Sequence, residues 1–269
     1  MTIMENKLFP NDVTRAFLPG NIFFTSDHHF CHENIIRFCN RPFDTVEQMN
    51  QELVRLWNET VPPDGIVFHL GDFCFGGAAS WNHILDCLNG KIYLILGNHD
   101  MKNIKQGYMN RFEHVTQQMT IRVGSQVICL NHNPFLAYGG SYRDVWQLFG
   151  HVHSGPLSKL GKDMPRLKVL FPLQYDVGVD NNGFRPVSFE EVKAKIQEQV
   201  AAKEAINNAV PDNQDEYHYR ETDTLDDLIM KYLHINDIYT RQSELAFADE
   251  LEKTCSALTE RIRTHYNKE

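Results

Sequence analysis

Asp27 and His29 in SDHHF, Asp72 in LGDF, Asn98 in LGNHD, His132 in LNHNP, and His151 and His153 in GHVH are oxygen or imidazole donors of the kind that hold divalent metals. Four of these five blocks directly follow an apolar, β-branched or aromatic run, and the fifth sits in one. Their order points to a two-metal hydrolytic centre. Hydrolysing a phosphate ester near neutral pH needs a strong nucleophile and neutralisation of the transferring phosphoryl group. Two metals about 3.5–4 Å apart supply both, acidifying a shared water and clamping the phosphoryl oxygens during in-line displacement. One carboxylate must bridge the ions, and Asp72 fits because it stands alone at a strand end. Alternate residues of an extended segment point the same way, so Asp27 and His29 are expected to reach one ion. His151 and His153 are expected to splay, one imidazole to each metal. Asn98 supplies a neutral carbonyl oxygen. His99 is then free to act as general acid toward the leaving oxygen, with Asp100 fixing its tautomer and raising its basicity. Imidazoles dominate and the blocks hold no thiolate. The expected cofactors are therefore two divalent transition metal ions, Mn first, with Fe or Zn as alternatives.

Substrate contacts are expected from the stretch that follows the first block. His32 and Asn34 begin an apparent helix whose free N–H groups favour a phosphate. Arg37 and Arg41 lie one turn apart and are expected to form a bidentate phosphate clamp. The loop Phe135–Asp144, with Tyr138, Tyr142 and Arg143, lies between two ligand blocks and is expected to border the cleft. His28, the middle residue of its block, should point away from the metals, and His69 reads as a core residue or one supporting the ligands.

These residues need elements to carry them. Asn21–Thr25, Gly65–Leu70, Lys91–Leu96 and Trp146–Gly150 read as strands that each deliver a block. Asp44–Asn58 reads as a helix with Asp44 as N-cap and Glu47 three residues on. Ser80–Leu88 and Ser188–Asn207 are further helices. Val115–Val123 and Gln126–Leu130 read as a hairpin about Gly124-Ser125, with Leu167–Leu170 and Gln174–Val179 as a final strand pair. The composition changes after Asn208 to a Pro/Asp/Asn-rich linker. Thr224–His234 and Gln242–His265 then carry helical periodicity. Residues 1–207 are expected to form the catalytic domain, and residues 208–269 a linker and helical extension that packs on that domain or against a second copy.

With 42% hydrophobic and 23% charged residues among 269, the chain can bury a sizeable core. A formal charge of −9 argues against an extended nucleic-acid surface, which needs a basic face. Two cations would still make a small site locally positive. The six cysteines form no CxxC pair and read as reduced thiols. The N-terminus has no apolar h-region, and no stretch reaches the roughly 18 apolar residues of a membrane span, so a cytoplasmic location is expected.

Asp27-His28-His29, Gly71-Asp72, Gly97-Asn98-His99-Asp100, His132 and Gly150-His151-Val152-His153 stand in the order DxH, GD, GNH(D/E), H, GHxH. That pattern resembles the calcineurin-like metallophosphoesterase superfamily over residues 21 to about 190. The resemblance implies an α/β fold, a four-layer αββα sandwich with two mixed sheets. It implies that Asp27, His29, Asp72 and His153 hold one metal and Asp72, Asn98, His132 and His151 the other. His99 aligns with the family's catalytic histidine and Asp100 with its partner. The runs His29–Phe43 and Tyr175–Val192 look like a bacterial and phage-associated subgroup of small metallophosphoesterases. The expected reaction is hydrolysis of a small phosphorylated substrate, a phosphodiester ahead of a monoester, by in-line attack of a metal-bridging hydroxide. A nuclease acting on short nucleic acid is the second reading, and a non-catalytic interaction scaffold the third.

Overall fold

The computed structural model describes residues 15–100, 108–158, 170–209, 224 and 248–266. The chain divides into two compact units, Met1–Lys203 and Glu204–Glu269. The first is a sandwich of two mixed five-stranded sheets with helices. One sheet has the order β10-β2-β3-β4-β5, built from β2 (Ile22–Thr25), β3 (Ile66–His69), β4 (Lys91–Ile95), β5 (His114–Thr116) and β10 (Val187–Ser188). Here β2 to β5 are mutually parallel and β10 is antiparallel to β2. The other has the order β1-β6-β7-β8-β9, from β1 (Arg15–Phe17), β6 (Gln118–Val123), β7 (Gln126–Asn131), β8 (Trp146–Phe149) and β9 (Gln174–Asp176). β6 and β7 form the expected hairpin, and β7, β8 and β9 run parallel.

The uninterrupted apolar strands follow from burial on both faces. Phe24, Phe68, Leu70 and Ile95 from one sheet meet Ile121, Ile128, Leu130, Leu148 and Val177 from the other in the inter-sheet core. A second core lies between the first sheet and the helices α1 (Glu33–Cys39), α2 (Val46–Thr60) and α3 (Ala78–Cys87), through Ile35, Met49, Leu53, Trp57, Trp81 and Ile84. Met49, Leu53 and Trp57 recur every four residues, the spacing that gives α2 one apolar stripe. Helix α4 (Phe189–Ala209) adds Phe189, Val192 and Ile196 to the inter-sheet core. In the second unit, helix α5 spans Ala248–Tyr266. No helix among the described residues is long and apolar enough to cross a membrane.

Several boundaries differ from expectation. Thr45, not Asp44, caps α2: its hydroxyl accepts from the Gln48 N–H at 3.2 Å, while the Gln48 side chain accepts from the Asp44 N–H at 2.8 Å. The box is shifted by one because Thr45, with φ −137°, holds the extended N-cap conformation. The run Val115–Val123 is two strands rather than one. β5 closes the first sheet, β6 enters the second, and Gln117 alone separates them. β1, which pairs with β6 in parallel, was absent from the sequence-based expectations. Residues 167–169 of the expected final strand pair and the periodic stretch of residues 225–234 lie outside the described residues.

Candidate metal centre

Parallel strands end together. β2, β3 and β4 deliver Asp27 and His29, Asp72, and Asn98 and His99 to one edge of the first sheet, and β7 and β8 deliver His132, His151 and His153 from the second. Backbone contacts tie these ends to one another. The Asp27 N–H donates to Gly71 O, His29 N–H to Asp72 O and Gly150 N–H to His132 O, at 3.0, 3.0 and 2.9 Å. The sheets are stitched together by a bridge between Ser26 and Gly178 and by the Val179 N–H donating to Ser26 O. Asp27, His29, Asp72, His151 and His153 all have positive φ, between 48° and 71°. The expectation that Asp27 and His29 lie along an extended segment is therefore corrected: the chain turns at each, and it is the turns that aim both side chains inward.

Two groups of donors result. Asp27, His29 and His153 form one and Asp72, His132 and His151 the other, with the donor atoms of each within 4.8 Å of one another. Asp27 Oδ1 lies 3.9 Å from both His29 Nε2 and His153 Nε2. Asp72 Oδ2 reaches across, 3.5 Å from His29 Nε2 and 3.6 Å from His132 Nε2. Ligands about 2.1 Å from a common ion stand roughly 3.0–3.5 Å apart, so these separations are close to those a metal imposes.

The polar atoms test the fit. Asp27 Oδ1 and His29 Nε2 are buried and make no hydrogen bond, a costly arrangement unless a cation lies between them. His132 Nδ1 is 2.7 Å from Leu70 O, which can only accept, so Nδ1 carries a proton and Nε2 faces the Asn98 side chain at 3.1 Å, two groups able to share a cation. Burial raises the Asp72 carboxyl above its usual range, and nearby Asp27 adds to that; a divalent ion would reverse it. Burial also holds His29 and His151 below the usual imidazole range, leaving lone pairs free for a metal. The residues present therefore fit a binuclear metal site.

The surrounding residues fall into place unevenly. Asn98 and His99 are exposed at the rim; the His99 side chain is 46% exposed, with Nε2 3.9 Å from Asp72 Oδ2 and its backbone N–H donating to Asp72 Oδ1 at 3.0 Å. Asp100 is corrected. Its carboxylate accepts from the backbone N–H groups of Asp72, Gly97 and Phe73 at 2.8, 2.9 and 3.0 Å, so it shapes the loop that presents Asp72 instead of orienting the His99 imidazole. Burial raises its carboxyl to about 6.

Arg41 is corrected as well. It is fully buried and spends all five donors internally, so it forms no phosphate clamp with Arg37. Arg37 stays exposed beside Asn34 and the Phe38 ring. His32 caps α1 without a side-chain cap bond, stacks on Phe75 with ring centroids 3.8 Å apart, and lies 3.4 Å from His29 between their Nδ1 atoms. Its pKa is lowered to about 4, first by burial.

His28 does point away from the donors. The Gly71 N–H donates to His69 Nδ1 at 3.2 Å, so His69 carries its proton on Nε2 and donates to His28 Nδ1 at 3.0 Å. Burial keeps both imidazoles neutral, His69 down to about 3. Tyr138 of the Phe135–Asp144 loop turns to Val145 O, beside a cavity of about 460 Å³ lined by Gln118, Thr120, Val127, Cys129 and Phe135 but by none of the metal donors.

Sequence reasoning missed Asp180 and Asp176. Asp180 Oδ2 accepts from His153 Nδ1 at 2.7 Å. Burial alone would raise its carboxyl, but the Arg41 charge and the His153 hydrogen bond outweigh it and hold it down at about 2. Buried Asp176 accepts from the N–H groups of Ser154 and Gly178. Both lie in Tyr175–Val192, a run singled out in the sequence without roles for its residues.

Residues 20–195 match the family model for calcineurin-like phosphoesterase. An uncharacterized protein of Methanocaldococcus jannaschii is 33% identical over 178 residues, covering 65% of this chain and 91% of that protein. The gene 66 protein of Mycobacterium phage L5 is 30% identical over 201 residues, 64% of this chain and 92% of its own. Among solved structures, a protein of unknown function from Aquifex aeolicus superposes with a TM-score of 0.49 at 23% identity, covering 64% of this chain and 97% of that one.

Proposed function

Because this chain belongs to the calcineurin-like phosphoesterase family, we propose that it hydrolyses a small phosphate ester, a phosphodiester in preference to a monoester, with two divalent transition metals bound. The observation that carries the reading is the pair of donor groups that Asp72 Oδ2 approaches together, with Asp27 Oδ1 and His29 Nε2 of the first group buried and without a hydrogen bond. Asp27, His29, Asp72 and His153 would hold one ion and Asp72, Asn98, His132 and His151 the other. Mixed imidazole and oxygen donors without thiolate suit Mn, Fe or Zn. When bound, the metals acidify water and neutralise the phosphoryl oxygens.

The chain's own groups do the rest. The His99 N–H holds Asp72 Oδ1, which leaves Oδ2 directed at both donor groups. The His99 imidazole, at the rim and against Phe75, delivers a proton to the leaving oxygen. Leu70 O and Asp180 hold the Nδ1 protons of His132 and His153, which presents Nε2 of each to the site.

The test is hydrolysis of bis(p-nitrophenyl) phosphate with added Mn²⁺, before and after chelation. Turnover that disappears with chelator and returns with metal is expected; absence of turnover from protein holding two metals per chain would overturn the reading. His99→Ala is expected to keep both metals and lose turnover by about 10²–10⁴-fold. Equal loss of metal would make His99 a ligand instead.

A further inference from the structure

Two runs singled out in the sequence, His29–Phe43 and Tyr175–Val192, meet at one buried contact. Arg41 and Asp180 are 139 positions apart, yet Nε donates to Oδ1 and Nη2 to Oδ2, both at 2.9 Å. The guanidinium's other donors do not go to solvent. Nη2 also donates to Asp27 O at 2.7 Å, and Nη1 to His28 O at 2.8 Å and to Met49 Sδ at 3.6 Å. On its far side the same Asp180 carboxylate accepts from His153 Nδ1 at 2.7 Å. One buried chain of contacts thus runs from the backbone of Asp27, through Arg41 and Asp180, to the imidazole of His153.

Cys39, His153 and Asp180 also bring donor atoms within 4.8 Å of one another. That group is a poor third cation site. Both Asp180 oxygens are already accepting hydrogen bonds, and the Arg41 charge stands at contact distance. Its geometry is that of an orienting group. A carboxylate can only accept, so His153 must carry a proton on Nδ1, which leaves Nε2 as the nitrogen that faces Asp27 Oδ1. The fork of Arg41 fixes that carboxylate in a plane, and its contacts to Asp27 O and His28 O brace the residue whose backbone holds φ 58°.

We propose that Arg41 and Asp180 are positioning residues that preorganise one half of the metal centre: Asp180 selects Nε2 of His153 as the metal-binding nitrogen, and Arg41 locks Asp180 to the turn that presents Asp27. The proposal rests on the two-metal reading above. It makes the two ions unequal in their dependence on these residues. The group of Asp72, Asn98, His132 and His151 takes side-chain orientation from Leu70 O, Asp100 and the His99 N–H, none of which touches the Arg41–Asp180 pair; the His151 backbone N–H on Asp27 Oδ2 ties it to the braced turn.

The test titrates metal-stripped, full-length protein with Mn²⁺ by calorimetry. Wild type is expected to bind two ions. Asp180→Asn is expected to weaken one site about 10–100-fold and leave the other within about twofold. Arg41→Lys, which keeps the charge but loses the fork, is expected to weaken the same site by less. Wild-type affinity at both sites, or equal weakening of both, would overturn the proposal while leaving the two-metal reading in place. A wild type that binds no pair of ions overturns both. If circular dichroism finds Asp180→Asn unfolded, Asp180→Glu, which keeps a carboxylate for Arg41 but moves it off His153 Nδ1, carries the same comparison and the same two outcomes.

Discussion

Five of the seven candidate ligands, Asp27, His29, Asp72, His151 and His153, hold backbone angles that cost an ordinary L residue about 1–2 kcal/mol each. Such strain persists where the surroundings over-determine it, and here the restraints are visible. Asp27 and His29 donate backbone N–H groups to the β3 loop, and the His151 N–H donates to Asp27 Oδ2 at 2.8 Å. The glycine before His151 shows how close the two sheets must come. A methyl group at Gly150 would lie 2.2 Å from Asp27 Oδ2 and 2.1 Å from Ser26 Oγ. Gly150→Ala is therefore expected to destabilise the fold by about 1–3 kcal/mol and to weaken metal binding at the Asp27 group. Thermal unfolding of metal-free protein and metal content after dialysis check the two effects separately. At this scale the candidate donors were legible from residue type, and their chain order from the family resemblance. The turns were not, nor was Asp180, whose role depends on a partner 139 positions away. Asp100 was legible as a site residue but not in its job, since nothing local tells whether a carboxylate will find an imidazole or three backbone amides.

The elements that carry these residues were mostly legible from apolar periodicity, which named β2, β3, β4, β7 and β8 and placed a block after each. What periodicity could not see was the change of sheet between Thr116 and Gln118, because only Gln117 separates the strands and Val115, Met119, Ile121 and Val123 keep one alternating register across it. Helix starts depend on one side chain and slipped accordingly, from Asp44 to Thr45. Helix α4 begins with a complete reciprocal cap. The Ser188 hydroxyl accepts from the Glu191 N–H at 3.2 Å, and the Glu191 carboxylate accepts from the Ser188 N–H at 2.8 Å. Ser188→Ala is expected to cost about 1 kcal/mol of stability in denaturant unfolding. Arg185 first, then Ser188, holds the Glu191 carboxyl down at about 2 from its ordinary 4.5. Because the folded value is the lower, the stabilisation is present above pH 4.5 and is lost as pH falls from there toward 2. The stability difference between wild type and Glu191→Gln should shrink over that window; a difference constant from pH 7 to pH 3 would contradict the assignment.

Across the whole molecule, the site is made by neither sheet alone. β2, β3 and β4 supply Asp27, His29, Asp72 and Asn98, the second sheet supplies His132, His151 and His153, and the sheets meet at Ser26, Gly178 and Gly150. A chain of net charge −9 brings the buried carboxylates of Asp27 and Asp72 to this junction, where cations would neutralise them. Asp72 is the residue on which both donor groups converge, and counting metals in its absence tests the two-metal account most directly. The measurement is metal content per chain after loading with Mn²⁺ and desalting, for wild type, Asp27→Ala and Asp72→Ala, each shown to be folded by circular dichroism. The account predicts two ions in wild type, one in Asp27→Ala and none retained in Asp72→Ala. A wild type that keeps fewer than two ions, or an Asp72→Ala protein that still keeps one, would contradict it.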